Sequence, residues 1–361
     1  MKKFSIVLAA VLLIVCLGGC AAKVDTNFPA DPAATLGDAL VSAESFYYYF
    51  ANIAFSLESD MNTPIADFID TAYDEESEDG ETYKVICEDY AIDGCLVEAV
   101  IEVLFKEAGL TVEPADETSV KAQIQTYITN FGSEAAYEQA IKEAGMSRNF
   151  FEASLMSYVK IDKLMESLRG TDGLTDADLF ELMEGDFVRV KHILLKATDD
   201  DGNAIEKEIL QAKADVLMEM LADGADFEGL MVEYGEDPGM DAYLNGYVID
   251  EIVSFDPAFI TGAFGLEVGE YTLVDGMHGF HIIKRLPLAE EHLHEYYPDG
   301  EGYTVEDMLF YDEANTILVD AISAYRENNA IVKNQEVIDE MVQKYIAENP
   351  FEVVTDDGEG E

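Results

Sequence analysis

The sequence predicts an α+β chain in which one α+β segment interrupts a mostly helical one. Apolar residues recur three or four apart before position 185, as they do along one face of a helix. At Asp186 the texture changes: Phe187-Val-Arg-Val-Lys-His-Ile-Leu-Leu195 alternates and is rich in branched residues, the mark of a strand. Beyond Pro287 the helical spacing returns, over 304–328 and 336–347.

The elements follow in order. Residues 21–38 hold two prolines and little periodicity and read as a tether. Helical spacing covers 40–57, where Phe46-Tyr47-Tyr48-Tyr49-Phe50 reads as helix core, and 74–81 is an acidic loop. Helices are expected over 96–110, 119–131 and 134–144, each stopped by a glycine (Gly109, Gly132, Gly145), and over 150–168. Thr175, with Asp178 three positions later, opens another. Within the α+β segment the first strand leads to a turn at 199–203 and an amphipathic helix over 206–221. A short helix near 227–232, a glycine-rich stretch to Tyr247 and a helix over 257–264 come next. Strands over 271–274 and 279–286 close the segment. The pattern is β-α-(short helices)-β-β, an α+β unit. No internal repeat and no nucleotide-binding glycine motif is present.

The N-terminus is set apart from the fold. Lys2 and Lys3 precede an apolar stretch at 4–15, interrupted only at Ser5, then Leu17-Gly18-Gly19-Cys20. The stretch is short for a permanent span, which needs about 20 residues, and reads as a signal peptide. Leu-Gly-Gly-Cys resembles the bacterial lipobox, which makes Cys20 the expected lipidation site and the acyl chains the only expected anchor. The predicted layout is a signal peptide over 1–19, a tether over 20–38 and a helical part over 39–185. The α+β segment takes 186–287, a second helical part 288–350 and an acidic tail 351–361.

With 75 acidic against 21 basic residues, the formal net charge is −54. Phosphates would be repelled, so nucleic acid is not an expected partner, and there is no basic patch for anionic lipid. The charge reads as a solvated coat. Asp199-Asp200-Asp201-Gly202-Asn203 lacks the later ligands of an EF-hand. His278-x-x-His281 and His292-x-His294 have permissive spacing but no defined third ligand, so no metal is expected. Cys16 leaves with the signal and Cys20 takes the lipid. Cys87 and Cys95 remain, as a disulfide or as two thiols.

Five motifs fall in order across the α+β segment: Val190-Lys191-His192-Ile193-Leu194, Gly224-Ala-Asp-Phe227, Tyr234-Gly235-Glu236-Asp237, Ala263-Phe264-Gly265-Leu266-Glu267-Val268-Gly269-Glu270 and Gly279-Phe280-His281-Ile282-Ile283. Together they resemble the parvulin-type peptidyl-prolyl isomerases. With flanking helices and a lipobox, the whole is similar to the PrsA-type foldases of Gram-positive bacteria. The 137–184 stretch is, more loosely, similar to the chaperone part of SurA-type periplasmic proteins.

The resemblance implies an isomerase with no cofactor. Rotation about X-Pro crosses a barrier of about 20 kcal/mol set by amide resonance. No bond is broken, so neither nucleophile nor metal is needed. The catalyst grips proline in an apolar cup and favours the less conjugated state. By resemblance, His192, Asp237 and His281 floor the site, and Phe255 and Phe259 belong to the cup. Asn245 or Leu244 takes its leucine position, and His278 replaces a hydroxyl residue. Read without the family, each histidine is a core residue whose nitrogens find partners, and Asp237 is a turn residue before Pro238.

The implied partners are unfolded or partly folded exported proteins with X-Pro bonds, at the extracytoplasmic face of the cell membrane through the Cys20 lipid. A second reading is a holdase chaperone whose parvulin-like segment is inactive, given the departures at Asn245, Phe255 and His278. A third, a solute-binding lipoprotein, requires two lobes of alternating strands and helices.

Overall fold

The computed structural model describes residues 28–73, 81–170, 173–199, 201–298 and 302–351. The expected signal peptide, Cys16, Cys20, the start of the tether, the acidic loop at 74–80 and the tail from 352 lie outside the described residues. The chain divides into two compact units, Met1–Ser167 with Ala314–Glu361, and Leu168–Glu313.

The first unit is mainly helical. Ser42 caps the Ala43–Met61 helix by accepting the Ser45 amide at 3.0 Å, and the helix ends at Asn62 in a left-handed conformation. Its Phe46, Tyr47, Phe50 and Ala54 are buried at three- and four-residue spacing, the inward stripe of an amphipathic helix. It packs on the Tyr83–Glu107 helix, which Thr82 caps and which begins well before the predicted residue 96. That helix packs in turn on Arg148–Glu166. Cys87 and Cys95 are both buried on Tyr83–Glu107, unbridged. Eight helical residues separate them by about 12 Å along the axis, beyond the reach of about 7 Å between Cα atoms that a disulfide allows.

A small sheet pairs β1 (Ala34–Leu36) with β2 (Ala39–Val41) and with β7 (Ile331–Lys333), all antiparallel. Residues 34–36, expected in the tether, are thus a strand. Their partner in β7 lies almost 300 residues away, so no local pattern announces the pairing.

The second unit is the α+β one. β3 (Val188–Lys196), β4 (Tyr247–Ile249), β5 (Tyr271–Gly276) and β6 (Gly279–Leu286) form a sheet in the order β4-β3-β6-β5. Every ladder among the described residues is antiparallel, which does not fit alternating parallel lobes. Alternation divides β3 and β6 between two faces. Ile193, Leu195, Phe280 and Ile282 pack on Leu210, Ala214, Leu217 and Leu221 of the Lys207–Ala222 helix in one apolar cluster. The opposite face carries Val190, His192, His281 and Ile283, and the Pro257–Phe264 helix packs across it against β3, β5 and β6. Both histidines therefore point to the face under that helix. The unit extends past 186–287 on both sides: Asp176–Asp186 packs on the 3₁₀ turn Glu290–His294.

Candidate active site

Strand register sets the first contact. Leu194 pairs with His281 and His192 with Ile283 across β3 and β6, so the histidines are diagonal neighbours on one face, close enough for their side chains to meet. Their rings stack with centroids 5.2 Å apart and planes 19° apart. His192 Nδ1 lies 3.1 Å from His281 Nδ1. Each residue is only 4% exposed.

Asp237 reaches the pair from the turn after the Phe227–Tyr234 helix. Its Oδ2 is 2.6 Å from His192 Nε2 and accepts the Tyr247 hydroxyl at 2.8 Å, while Oδ1 accepts the Gly239 amide at 3.0 Å. Tyr247 comes from β4, the strand the sequence did not reveal. Gly239 makes room for it: a Cβ there would lie 1.7 Å from the Tyr247 hydroxyl.

Burial alone would raise the Asp237 carboxyl. The hydrogen bond and charge of His192, with the Gly239 amide and the Tyr247 hydroxyl, outweigh it and hold the group at about 2. Burial, then the charge of Asp237, pushes the Tyr247 phenol well above its ordinary range. Burial, seconded by His192, pushes His281 down to about 4.

In the charge state where neither imidazole is protonated twice, these bonds leave one choice of tautomers. A carboxylate only accepts, so His192 carries its proton on Nε2. His192 Nδ1 then accepts, and His281 must donate from Nδ1. His281 Nε2 is left as a bare lone pair, buried and without a hydrogen-bond partner among the described residues. A line of polar atoms thus runs from Tyr247 and Gly239 through Asp237 and His192 to His281.

Phe259 closes this line from the helix above. It is 2% exposed, and its ring meets His192 and His281 edge-on at 4.9 and 5.3 Å. Phe255 stacks edge-on against Phe259 and Tyr247 at 5.7 and 5.1 Å and is half-buried. The structure therefore gathers His192, Asp237, His281, Phe255 and Phe259 in one place.

Asn245 is not part of this set. Its side-chain amide donates to Glu295, and its backbone carbonyl accepts Arg189 Nε at 2.6 Å. Leu244 is largely exposed. His278 sits exposed in the β5–β6 turn, where its charge acts on Asp256 and His281. His292 accepts the Ala289 amide and His294 pairs with Glu306. Among the described residues no three His, Cys, Asp or Glu side chains converge as metal ligands. Sequence reasoning passed over Tyr247 and Asp256. Neither carries a motif, and both matter only through partners distant in sequence.

Residues 181–286 match the family model described as the PPIC-type PPIase domain. This segment is a PPIC-type domain. No curated protein matches the chain. Among solved structures it is similar to PrsA from Bacillus subtilis, at 19% identity over 78% of this chain and 94% of that one, with a TM-score of 0.24. PrsA from Bacillus cereus matches at 19% identity over 78% and 98%, with a TM-score of 0.33. The foldase PrsA from Streptococcus pneumoniae matches at 15% over 78% and 96%, with a TM-score of 0.30.

Proposed function

We propose that the chain is an active peptidyl-prolyl cis-trans isomerase and a folding factor for exported proteins. In this reading the Cys20 lipid holds it at the extracytoplasmic face of the cell membrane. The observation that carries the enzyme is the convergence of His192, Asp237 and His281 under Phe259, inside a domain of PPIC type.

The geometry suits a rotation in which no bond breaks. Phe255 and Phe259 offer aromatic surface to the proline ring, an apolar grip that fixes the ring while the preceding residue turns. Planar amide resonance places negative charge on the carbonyl oxygen. An ionised Asp237 beside that oxygen disfavours the charge-separated form, lowers the double-bond character and favours the twisted state over the planar one. His192, which meets His281 on its other nitrogen, holds Asp237 ionised and in place. No step requires a cofactor.

An X-Pro peptide assay tests the enzyme: activity is expected to fall about a hundredfold in Asp237→Ala and in His281→Ala, and full activity in both overturns the assignment. The signal at 1–19, the lipobox cysteine and the acidic coat support the location. Metabolic labelling with a radioactive fatty acid should mark the wild-type chain, and Cys20→Ala should lose the label and appear in the medium.

The second reading, a holdase with an inactive domain, draws support from Asn245 turning to Glu295 and from the near-complete burial of the histidines. It requires undiminished suppression of aggregation after deletion of 186–287, together with no turnover of any X-Pro peptide by the intact chain.

A further inference from the structure

Asp256 stands between two elements that carry site residues, and it is 8% exposed. Its Oδ1 accepts the Ala258 amide at 2.8 Å and caps the Pro257–Phe264 helix, which bears Phe259. Its Oδ2 accepts the Met277 amide in the turn between β5 and β6, four residues before His281. The same carboxylate and the His281 ring border one space, the one beside Gly276. A Cβ on Gly276 would be 2.3 Å from Asp256 Oδ2 and 3.1 Å from His281 Cδ2, so only a glycine lets the carboxylate come this close. The His281 atom that borders this space is Cδ2, on the ring edge away from Nδ1, the atom that meets His192.

We propose that Asp256 is a positioning residue of the isomerase site. Its single carboxylate ties the helix bearing Phe259 to the turn leading into His281, and so keeps the His281 ring seated on His192. The inference rests on the isomerase reading above.

Two physical points support it. Both carboxylate oxygens are used as acceptors from backbone amides on separate elements, which an amide side chain cannot reproduce, since it has one acceptor oxygen. Burial works against the charge, yet the Met277 and Ala258 amides and the neighbouring His281 hold the carboxyl below its ordinary value, as expected of an anion built into the structure. Released from this tie, the turn is free to shift, and His281 Nδ1 loses its fixed alignment to His192. A misplacement of about 1 Å in a catalytic group costs up to about a hundredfold in rate.

The test uses the full chain and two variants that reach the same contact from opposite sides. Asp256→Ser keeps a good helix cap but releases Met277 and removes the charge. Gly276→Ala retains Asp256 but drives a methyl into its carboxylate; residue 276 is not among the glycines with left-handed φ, so alanine is tolerated by the backbone. In ¹⁵N histidine spectra taken at a pH where both imidazoles are neutral, the wild type should show His281 protonated on Nδ1 and His192 on Nε2. Both variants should show His281 in mixed tautomers. In X-Pro exchange kcat should fall about tenfold, with KM within about twofold.

A loss of thermal stability alone, with tautomers and kcat kept in both variants, would make Asp256 a plain helix cap and overturn the proposal. Absence of X-Pro turnover by the wild type would instead overturn the isomerase reading, while the tautomer spectra would still decide whether Asp256 seats His281.

Discussion

At the scale of single residues, Asp237 concentrates the most consequence. Among the described residues it is the acceptor for two buried donors, His192 Nε2–H and the Tyr247 hydroxyl. Asp237→Ala leaves both unsatisfied and should destabilise the second unit by about 1–3 kcal/mol per orphaned group. Tyr247→Phe removes a donor and a bond but orphans nothing costly, so about 1 kcal/mol is expected. Urea denaturation of the two variants checks the order; equal losses would mean that Asp237 relaxes towards other partners.

Two acidic shifts give a pH profile with a definite sign. Burial holds His281 below its ordinary 6.5, at about 4. The hydrogen bonds to Asp237 overcome its burial and hold it below 3.8, at about 2. A group whose folded pKa is depressed contributes fully above its unfolded pKa and loses that contribution as pH falls through the folded one. The His281 contribution should therefore drain between pH 6.5 and 4, and that of Asp237 between 3.8 and 2. His281→Phe should flatten the upper limb of a stability-against-pH curve and leave the lower limb, which chemical denaturation followed by circular dichroism can resolve.

At the scale of elements, legibility follows the range of the contacts that make each element. β3 opens with alternation and then, like β6, runs as a continuous buried stretch because both faces meet a packed layer, and His192 and His281 sit in the motifs those strands carry. β4 is three residues long and buried throughout, so it has no alternation to read. β1 has a hairpin partner nearby, but its other edge is β7, and proline-rich surroundings disguise it. The site divides the same way. Phe255 and Phe259 are four apart on and just before one helix, whereas Asp256 meets Met277 only after the β5–β6 hairpin closes. Asn245 fell in a stretch with no strong pattern, and its actual partner, Glu295, is fifty residues on.

The helical layer carries its own titration. Glu98, partly buried on Tyr83–Glu107, has one carboxylate oxygen buried without a hydrogen-bond partner among the described residues. Burial, then the charge of Glu102, raises its carboxyl from 4.5 to about 7. Here the folded pKa lies above the unfolded one. The protonated form is favoured by folding, and the contribution is complete below about pH 4.5 and lost as pH rises through about 7. Glu98→Gln should be close to neutral at pH 5 and stabilising at pH 8.5, by on the order of 1–3 kcal/mol. A variant equally stable, relative to wild type, at both pH values would show that Glu98 is ionised without cost. On the same helix, Cys87 and Cys95 point into the core, and burial raises the Cys87 thiol to about 11. Thiolate is the reactive form. Thiol reagents should label neither cysteine until denaturant is added, and melting curves with and without reductant should coincide.

At the scale of the whole molecule, two units with separate cores allow two activities to be separated. Leu168–Glu313 contains the four-stranded sheet, the apolar cluster behind it and every atom of the His192–Asp237–His281 network. None of that network draws on residues outside the unit. Residues 168–313 alone should therefore fold cooperatively and turn over a short X-Pro peptide with kcat/KM within about twofold of the full chain, because every side chain of the network lies inside the unit. A long unfolded chain is a different substrate. Its apolar segments need somewhere to rest while the slow bond turns, and proline isomerisation takes about 10–100 s unassisted at 25 °C. If the helical unit supplies that rest, proline-limited refolding of an entire protein should be accelerated markedly less by 168–313 than by the full chain at equal peptide activity. Equal acceleration by both would confine the folding activity to the PPIC-type domain and leave the helical unit without a role in handling clients.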